Sequence, residues 1–150
     1  MRGIKISLLC LSLLGGFTSA HAAESEVAKS NAATVVAFYN KALNDKNAEA
    51  AIAMMGPTYT QHDAHIADGK VGFRQFITGF AKKYPQSHSD IVRVVANDDY
   101  VVLHVHMIRT PGTAGDAVMD IFRLENGKLV EHWGVLQPVP ATLPHKNTMF

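Results

Sequence analysis

The spacing of apolar residues divides the chain into helices first and strands afterwards. Helical spacing holds over residues 35–43, after a polar lead-in at residues 24–31 that we expect to be frayed. A second helix is predicted over residues 47–55, between a capping asparagine and a Gly-Pro pair that stops it. A third runs over residues 68–84 and carries an aromatic stripe, which needs an apolar surface to pack on.

Beyond residue 90 the period changes to two, which is the spacing of strands. Runs rich in β-branched residues, separated by turn residues, predict strands at residues 91–96, 100–110, 117–124 and 129–136. Helices followed by an antiparallel meander define an α+β fold, in which the helices pack on the sheet.

The register of the last hairpin decides which side chains share a face of the sheet. A two-residue Asn-Gly turn would set Asp120 opposite Trp133 and diagonal to Glu131, which brings two acids together. A type I turn with Gly127 in the left-handed conformation sets Asp120 opposite His132 instead, and we prefer it. The inner face then carries Val118, Asp120, Phe122, Val130, His132 and Leu136, while Arg123 and Glu131 lie on the outer face.

Residues 1–22 are typical of a cleavable secretory signal. Arg2 and Lys5 make a positive start, and residues 6–14 form an apolar run. A small-x-small cleavage site ends at Ala22. A membrane anchor is the alternative, but the apolar run is shorter than the ~20 residues that a spanning helix needs. We therefore expect an exported protein, periplasmic or secreted, with no stable membrane insertion.

The remaining chain, residues 23–150, suffices for one domain with one hydrophobic core. Cys10 is the only cysteine and lies inside the signal, so the domain has no thiol for catalysis or for zinc. Without Arg2 and Lys5 the 14 basic residues become 12 against 13 acidic ones, which does not suggest a nucleic-acid partner. The sequence has no glycine-rich phosphate loop, nucleophile elbow or metalloprotease motif, so we expect no nucleotide cofactor.

Asp120 and His132 are the leading candidates for chemistry. A carboxylate that faces an imidazole on an apolar wall is what acid/base catalysis requires, because burial and pairing bring the two proton affinities closer together. A structural pair that merely satisfies two buried polar groups is the alternative. His62 is the third candidate, in a segment from Tyr59 onward that we interpret as irregular and placed between helices.

His104 and His106 are separated by one residue in a strand and therefore point to the same face. We expect them to line a pocket, although a third ligand from Asp120 or His132 would make a metal site instead. Large aromatic residues are mostly core in a domain this small, but one or two line a pocket. The predicted ligand-binding residues are Tyr59, His104, His106, Phe122 and Trp133.

Short motifs occur in order along residues 35–150, and the block at residues 120–138 is the most specific. They are Tyr59-x-Gln61-His62, Asp68-Gly69-Lys70, Asp120-Ile121-Phe122-Arg123, Gly127-Lys128, Glu131-His132-Trp133 and Gln137-Pro138. Together they resemble the SnoaL-like polyketide cyclase family. The closing residues 147–150 are similar to the small exported bacterial branch of this family.

The resemblance implies a cone-shaped α+β barrel of the nuclear-transport-factor-like superfamily. Three helices would pack on a strongly curved antiparallel sheet and enclose an apolar pocket, often in a dimer formed through the sheet. Members of known activity close a polyketide ring by an intramolecular aldol condensation, with acid/base side chains and no metal or organic cofactor. Ketosteroid isomerases, dehydratases and epoxide hydrolases are wider relatives.

Gly134 departs from the family pattern, because many relatives have an aspartate there, the proposed general base. Without that acid, we expect Asp120 to be the only carboxylate of the inner wall. Export also separates the protein from polyketide assembly in the cytoplasm, so a free small molecule is the expected ligand.

Our hypothesis is a cofactor-independent acid/base enzyme of the isomerase, lyase or aldol-type cyclase class, acting on a small apolar carbonyl compound. Asp120 would remove a proton, His132 would orient or shuttle it, and His62 would polarise the oxygen. A pocket that binds a small apolar ligand without catalysis is the alternative, since a fold alone does not determine function. A metal protein that uses His104 and His106 is a third.

We predict that the exported protein begins at Ala23, because cleavage follows the small-x-small site. Intact-mass spectrometry of protein from the cell envelope should give the mass of residues 23–150. An exported form that retains residues 1–14 would contradict the signal assignment.

Overall fold

The computed structural model describes residues 25–150, so the predicted signal at residues 1–22 lies outside the described residues. In this part of the chain, helices and strands follow one another with short connections. The helices are α1 (Glu26–Tyr39), continued by a π-helical turn (Asn40–Asn44), α2 (Ala48–Ile52) and α3 (Gly69–Lys83). The strands are β1 (Met55–Gln61), β2 (His88–Asn97), β3 (Tyr100–Ile108), β4 (Asp116–Glu125) and β5 (Lys128–Pro138).

The described strands form one mixed sheet in the order β1-β5-β4-β3-β2. β1 pairs parallel to β5, and the other neighbours are antiparallel. The helices pack against the inner face of this sheet, which confirms the predicted α+β fold. The fully buried side chains of the core include Phe38, Ile77, Leu103, Leu124 and Leu129. Within residues 25–150, no helix has both the length and the apolarity needed to cross a membrane.

Strand β1 is the main difference from the sequence prediction, in which the second helix reaches residue 55 and residues 59–62 are irregular. α2 ends at Ile52, and the chain then becomes extended. β1 pairs with β5 so that Gln61 lies beside His132. A parallel partner this far along the chain leaves no local pattern, which is why the sequence does not predict the strand.

Helix α1 begins earlier than predicted, because the polar lead-in is helical rather than frayed. Ser25 caps the helix by accepting a hydrogen bond from the backbone N–H of Ala28 (3.0 Å). Asn31 is buried and donates to the backbone carbonyl of Asp98 (2.7 Å). These contacts satisfy polar groups at the start of α1 and join the helix to the β2–β3 turn.

The hairpin of β4 and β5 differs from the predicted register. Its turn, residues 126–127, has φ angles of 50° and 71°. Both residues are therefore left-handed, as a two-residue type I′ turn requires, whereas the sequence predicts this conformation for the glycine alone. Val130 then forms a bulge that shifts the later pairs by one residue. Asp120 is therefore opposite Gly134, and the prediction that it is opposite His132 is wrong.

Asp68 joins the start of α3 to the end of β1. It precedes α3 as the predicted capping residue, but its carboxylate accepts no hydrogen bond from the helix. The carboxylate accepts instead from the backbone N–H of Gln61 (2.8 Å). The loop at residues 62–67 is therefore closed by a contact between its two ends, and this positions its side chains beside β5.

Ile77 tests the packing of α3 on the sheet, because its side chain is 0% exposed. We expect Ile77→Ala to lower the free energy of unfolding by about 3 kcal/mol, a large part of the ~5 to 15 kcal/mol typical of a domain. Val71 on the same helix is 63% exposed, so Val71→Ala should change that free energy by less than ~0.5 kcal/mol. Urea unfolding measures both, and equal losses would contradict this packing.

Candidate active site

A cavity of about 680 Å³ lies between the helices and the inner face of the sheet. Its volume suits a small organic ligand. Most of the lining is apolar and includes Phe38, Leu43, Phe73, Phe76, Phe80, Val118 and Phe122. The polar lining side chains include Tyr39, Tyr59, Gln61, Asp63, Asp120 and His132. Of the predicted ligand-binding residues, the structure therefore places Tyr59 and Phe122 at the cavity.

The predicted pair of Asp120 and His132 is in contact inside this cavity. Asp120 Oδ1 lies 3.0 Å from His132 Nε2, and each side chain is 9% exposed. The contact is diagonal, because Phe122 is directly opposite His132 and stacks on its ring with 4.7 Å between centroids. Shielding from water strengthens the electrostatic interaction within the pair.

Gln61 determines which nitrogen of His132 carries a proton. Gln61 Oε1 accepts a hydrogen bond from the backbone N–H of Asp63 (2.9 Å), so this atom is the amide oxygen. The same oxygen lies 2.8 Å from His132 Nδ1, which must therefore be the donor. One further proton is left for the contact between His132 Nε2 and Asp120. It makes an ion pair when it lies on the imidazole and a neutral pair when it lies on the carboxyl.

Asp63 brings a second carboxylate to the same wall. Tyr59, Gln61 and Asp63 alternate with outward-facing residues, so all three line the cavity. A Cβ atom built on Gly134 would lie 3.0 Å from Asp63 Oδ2 and 2.9 Å from Asp120 Oδ1. The expectation that Asp120 is the only carboxylate of this wall is therefore wrong. The absence of a side chain at Gly134 leaves the space into which both acids point.

The charge of Asp120 contributes to the raised pKa of two buried tyrosines. Burial, and next the Asp120 carboxylate, raises the pKa of Tyr39 well above its ordinary value, and the nearby Ser89 hydroxyl offsets part of this. The same two causes, in the same order, raise the pKa of Tyr59. Both phenols therefore stay protonated and remain hydrogen-bond donors in the cavity that they line.

His62 and Trp133 lie on the outer face of the sheet and do not line the cavity. His62 Nε2 is 2.8 Å from Glu131 Oε1, and the His62 ring stacks on Trp133 with 4.7 Å between centroids. Alternation is the physical reason, since His62 follows the inward-facing Gln61 and Trp133 follows the inward-facing His132. The predicted placement of both residues in the pocket is thereby corrected.

His104 and His106 also face outward, so their predicted place in the pocket is corrected as well. His104 Nδ1 accepts from Arg93 (2.9 Å), and His106 Nε2 donates to the carbonyl of Ala114 (2.8 Å). The Phe150 ring stacks on His106 with 4.1 Å between centroids. The sheet separates these rings from the cavity. Among residues 25–150, no group of 3 or more His, Cys, Asp or Glu side chains is placed to hold a metal ion.

Arg123 and Glu131 pair on the outer face, as the face assignment predicts. Arg123 Nε donates to Glu131 Oε2 (2.6 Å), and Arg123 also contacts Glu125 (2.6 Å). Glu125 first and Glu131 next raise the pKa of Arg123, while Arg123 and then His62 lower the pKa of Glu131. The outer charges therefore compensate one another and do not belong to the acid/base groups of the cavity.

Gln61 and Asp63 are the site residues that the sequence analysis does not identify. A period of two over residues 59–63 is the signal that could have found them. It places Tyr59, Gln61 and Asp63 on one face and His62 on the other. The signal is weak because the run is short and because residues 62–67 form a loop.

Helices pack on one face of the sheet and enclose an apolar cavity that holds a carboxylate and an imidazole. This α+β architecture is the nuclear-transport-factor-like fold that the motifs predict. The family model described as SnoaL-like domain matches residues 35–132, so the chain belongs to the SnoaL-like family. This confirms the family indicated by the motifs. Comparison with curated proteins finds no match.

Solved structures share this fold at low sequence identity. A SnoaL-like protein from Burkholderia thailandensis is 13% identical with a TM-score of 0.63, and the match covers 74% of this chain and 98% of that one. A protein of Jannaschia sp. described as a SnoaL-like polyketide cyclase is 14% identical with a TM-score of 0.63, and the match covers 75% of this chain and 89% of that one. TsrD from Streptomyces laurentii is 17% identical with a TM-score of 0.61, and the match covers 72% of this chain and 89% of that one. Identities this low show a shared fold and no more.

The raised pKa of Tyr59 predicts a specific loss of stability in alkali. At a pH above 10.0, the ordinary pKa of tyrosine, the unfolded chain loses the phenol proton whereas the folded protein keeps it. The free energy of unfolding therefore falls as the pH rises. Between pH 9 and pH 11, the free energy of unfolding should fall by about 1 kcal/mol less in Tyr59→Phe than in the wild type. Urea unfolding at the two pH values measures this. Equal losses in both proteins would contradict the environment described for Tyr59.

Proposed function

We propose that this protein is a cofactor-independent acid/base enzyme of the isomerase, lyase or aldol-type cyclase class. Its substrate is a small, largely apolar carbonyl compound that fills the cavity. The observation that carries this proposal is the 3.0 Å contact between Asp120 and His132 inside an apolar cavity. A base in such a site is shielded from water and has a partner that holds its charge in place.

Asp120 removes a proton from the carbon next to the substrate carbonyl. The C–H bond breaks, the proton bonds to a carboxylate oxygen, and the electron pair moves into the neighbouring C–C bond, so that negative charge develops on the carbonyl oxygen. His132, oriented by Gln61, stabilises the carboxylate before the transfer and shuttles the proton afterwards. The protonated phenol of Tyr59 donates a hydrogen bond to the developing charge, in place of His62.

The enolate formed in this step leads to each of the reaction classes named above. Reprotonation at another carbon is an isomerisation, loss of a group from the next carbon is an elimination, and attack on a second carbonyl closes a ring. Membership of the SnoaL-like family supports this cofactor-independent acid/base chemistry. With Gly134 in place of the aspartate of many relatives, Asp120 supplies the base.

The same proposal includes export and a homodimer. The signal pattern at residues 1–22 supports export to the periplasm or the medium. The outer face of the sheet exposes apolar side chains that a second copy would cover, since apolar patches of this kind commonly mark protein interfaces. They are Val95, Tyr100, Met119, Ile121 and Val135.

Asp120→Asn tests the assignment of the base. The amide has nearly the shape of the carboxyl group but cannot accept the proton, so activity should fall by ~100-fold or more. The probe is deuterium exchange at the α-carbon of 1-indanone in D2O, followed by NMR. This reaction needs only a bound ketone and a base.

Asp90→Asn is the matched control, because Asp90 is solvent-exposed on β2 and does not line the cavity. It should exchange 1-indanone at the wild-type rate. Full activity of Asp120→Asn would remove Asp120 from the mechanism. Binding of 1-indanone by the wild type without any exchange would favour a non-catalytic pocket.

A further inference from the structure

Asp63 is an acid in the cavity to which the mechanism above gives no role. Its Oδ2 atom and Asp120 Oδ1 lie 3.0 Å and 2.9 Å from the point where a Cβ atom of Gly134 would stand. The two oxygens are therefore no more than about 6 Å apart, and His132 Cε1 lies 3.3 Å from the same point. A ligand atom placed over Gly134 would be close to both carboxyl groups.

The two oxygens of Asp63 have different environments. Oδ1 accepts a hydrogen bond from the backbone N–H of His65 (2.7 Å) and lies 3.2 Å from His65 Nδ1. That imidazole is almost fully exposed, so it contributes little charge stabilisation. The backbone N–H of Asp63 is bonded to Gln61. One oxygen is thus fixed by the loop, and Oδ2 is left to face the space above Gly134.

The two carboxyl groups differ in the imidazoles that they contact. Asp120 Oδ1 lies 3.0 Å from Nε2 of the buried His132. Asp63 contacts only the exposed ring of His65, and its Oδ2 atom faces the space above Gly134. This difference in partners is the geometric basis for giving the two acids different roles.

Tyr39 offers a further polar contact in this cavity, which its side chain lines. Its hydroxyl is buried and makes no hydrogen bond of good geometry among the described residues, although the Ser89 hydroxyl is near it. A buried hydroxyl in this state is stabilised when a polar group pairs with it. A ligand that carries an oxygen in addition to its apolar body would supply that group.

We propose that Asp63 is a second catalytic residue, which acts as the acid opposite the base Asp120, and that the substrate is a β-hydroxy carbonyl compound. This inference rests on the proposed function, because it requires Asp120 to act as the base. It selects elimination of water from among the reaction classes that an enolate permits.

The step balances with the groups present. Asp120 takes the α-proton, the C–H electron pair forms the new C=C bond, and the C–O bond to the β-hydroxyl breaks as Asp63 gives that oxygen its proton. Water and an α,β-unsaturated carbonyl compound leave. Asp120 then holds one proton more and Asp63 one proton less, and exchange with solvent restores both.

Asp63→Asn tests this role while keeping the loop. The amide oxygen still accepts from the N–H of His65, which leaves the NH2 group in place of Oδ2, and an amide does not act as the acid. The probe is dehydration of 4-hydroxy-4-phenylbutan-2-one, followed by the absorbance of the conjugated enone. We expect dehydration to fall by ~100-fold and to fall at least ~10-fold more than the α-exchange of 1-indanone, which needs no acid.

Gly134→Ala is the second variant, because its methyl group would separate the two carboxyl oxygens while leaving both acids in the protein. We expect it also to lower dehydration more than exchange, with Asp90→Asn as the control for both reactions. Equal losses of the two activities in Asp63→Asn, or dehydration at the wild-type rate, would overturn the inference. A wild type that exchanges 1-indanone but does not dehydrate the hydroxyketone would overturn it and leave the proposed function standing. A wild type that does neither would overturn the proposed function itself.

Discussion

The imidazole of His132 joins the parts of the site, because its two ring nitrogens contact different strands. Nδ1 donates to Gln61 on β1, and Nε2 lies against Asp120 on β4. The first contact leaves a single proton to be shared in the second. The geometry depends on the bulge at Val130, which brings Asp120 diagonal to His132 while Gly134 stands directly opposite the acid. A change in the hairpin register would therefore alter the proton chemistry as well as the packing.

Burial of these polar groups is costly, and the hydrogen-bond network offsets only part of the cost. Gln61 Oε1 accepts from two donors, but its Nε2 atom is buried without a partner among the described residues, and the buried Tyr39 hydroxyl has only an imperfect contact with Ser89. Polar groups of this kind persist where function needs them. The aromatic lining of α3 and β4 provides the stability that the polar wall does not, and it also excludes water from the pair of Asp120 and His132.

Consecutive residues of β5 face opposite sides of the sheet and make different kinds of contact. His132 faces the cavity, whereas Glu131 and Trp133 on either side of it face outward, where they meet Arg123 and His62. The outer contacts between charged side chains are exposed enough for solvent to weaken them, so they contribute little to stability. Among them, the contact between His62 and Glu131 joins the end of β1 to β5, and β1 carries the inward-facing Gln61.

The sequence by itself determined the features that depend on neighbours along the chain. Helical and alternating periods predict the α+β fold, and the alternation of a hairpin is enough to place Asp120 and His132 on one inner face. The register and the strand β1 were decided only by the tertiary structure, and the short alternation at residues 59–63 was too weak a signal to place Gln61 and Asp63 on the inner face. β1 joins β5 in parallel, and residues so far apart in sequence leave no local period that records their contact. The role of Gly134 was likewise decided by the tertiary structure, because the space beside it matters only where Asp120 from β4 and Asp63 from a loop point into that space.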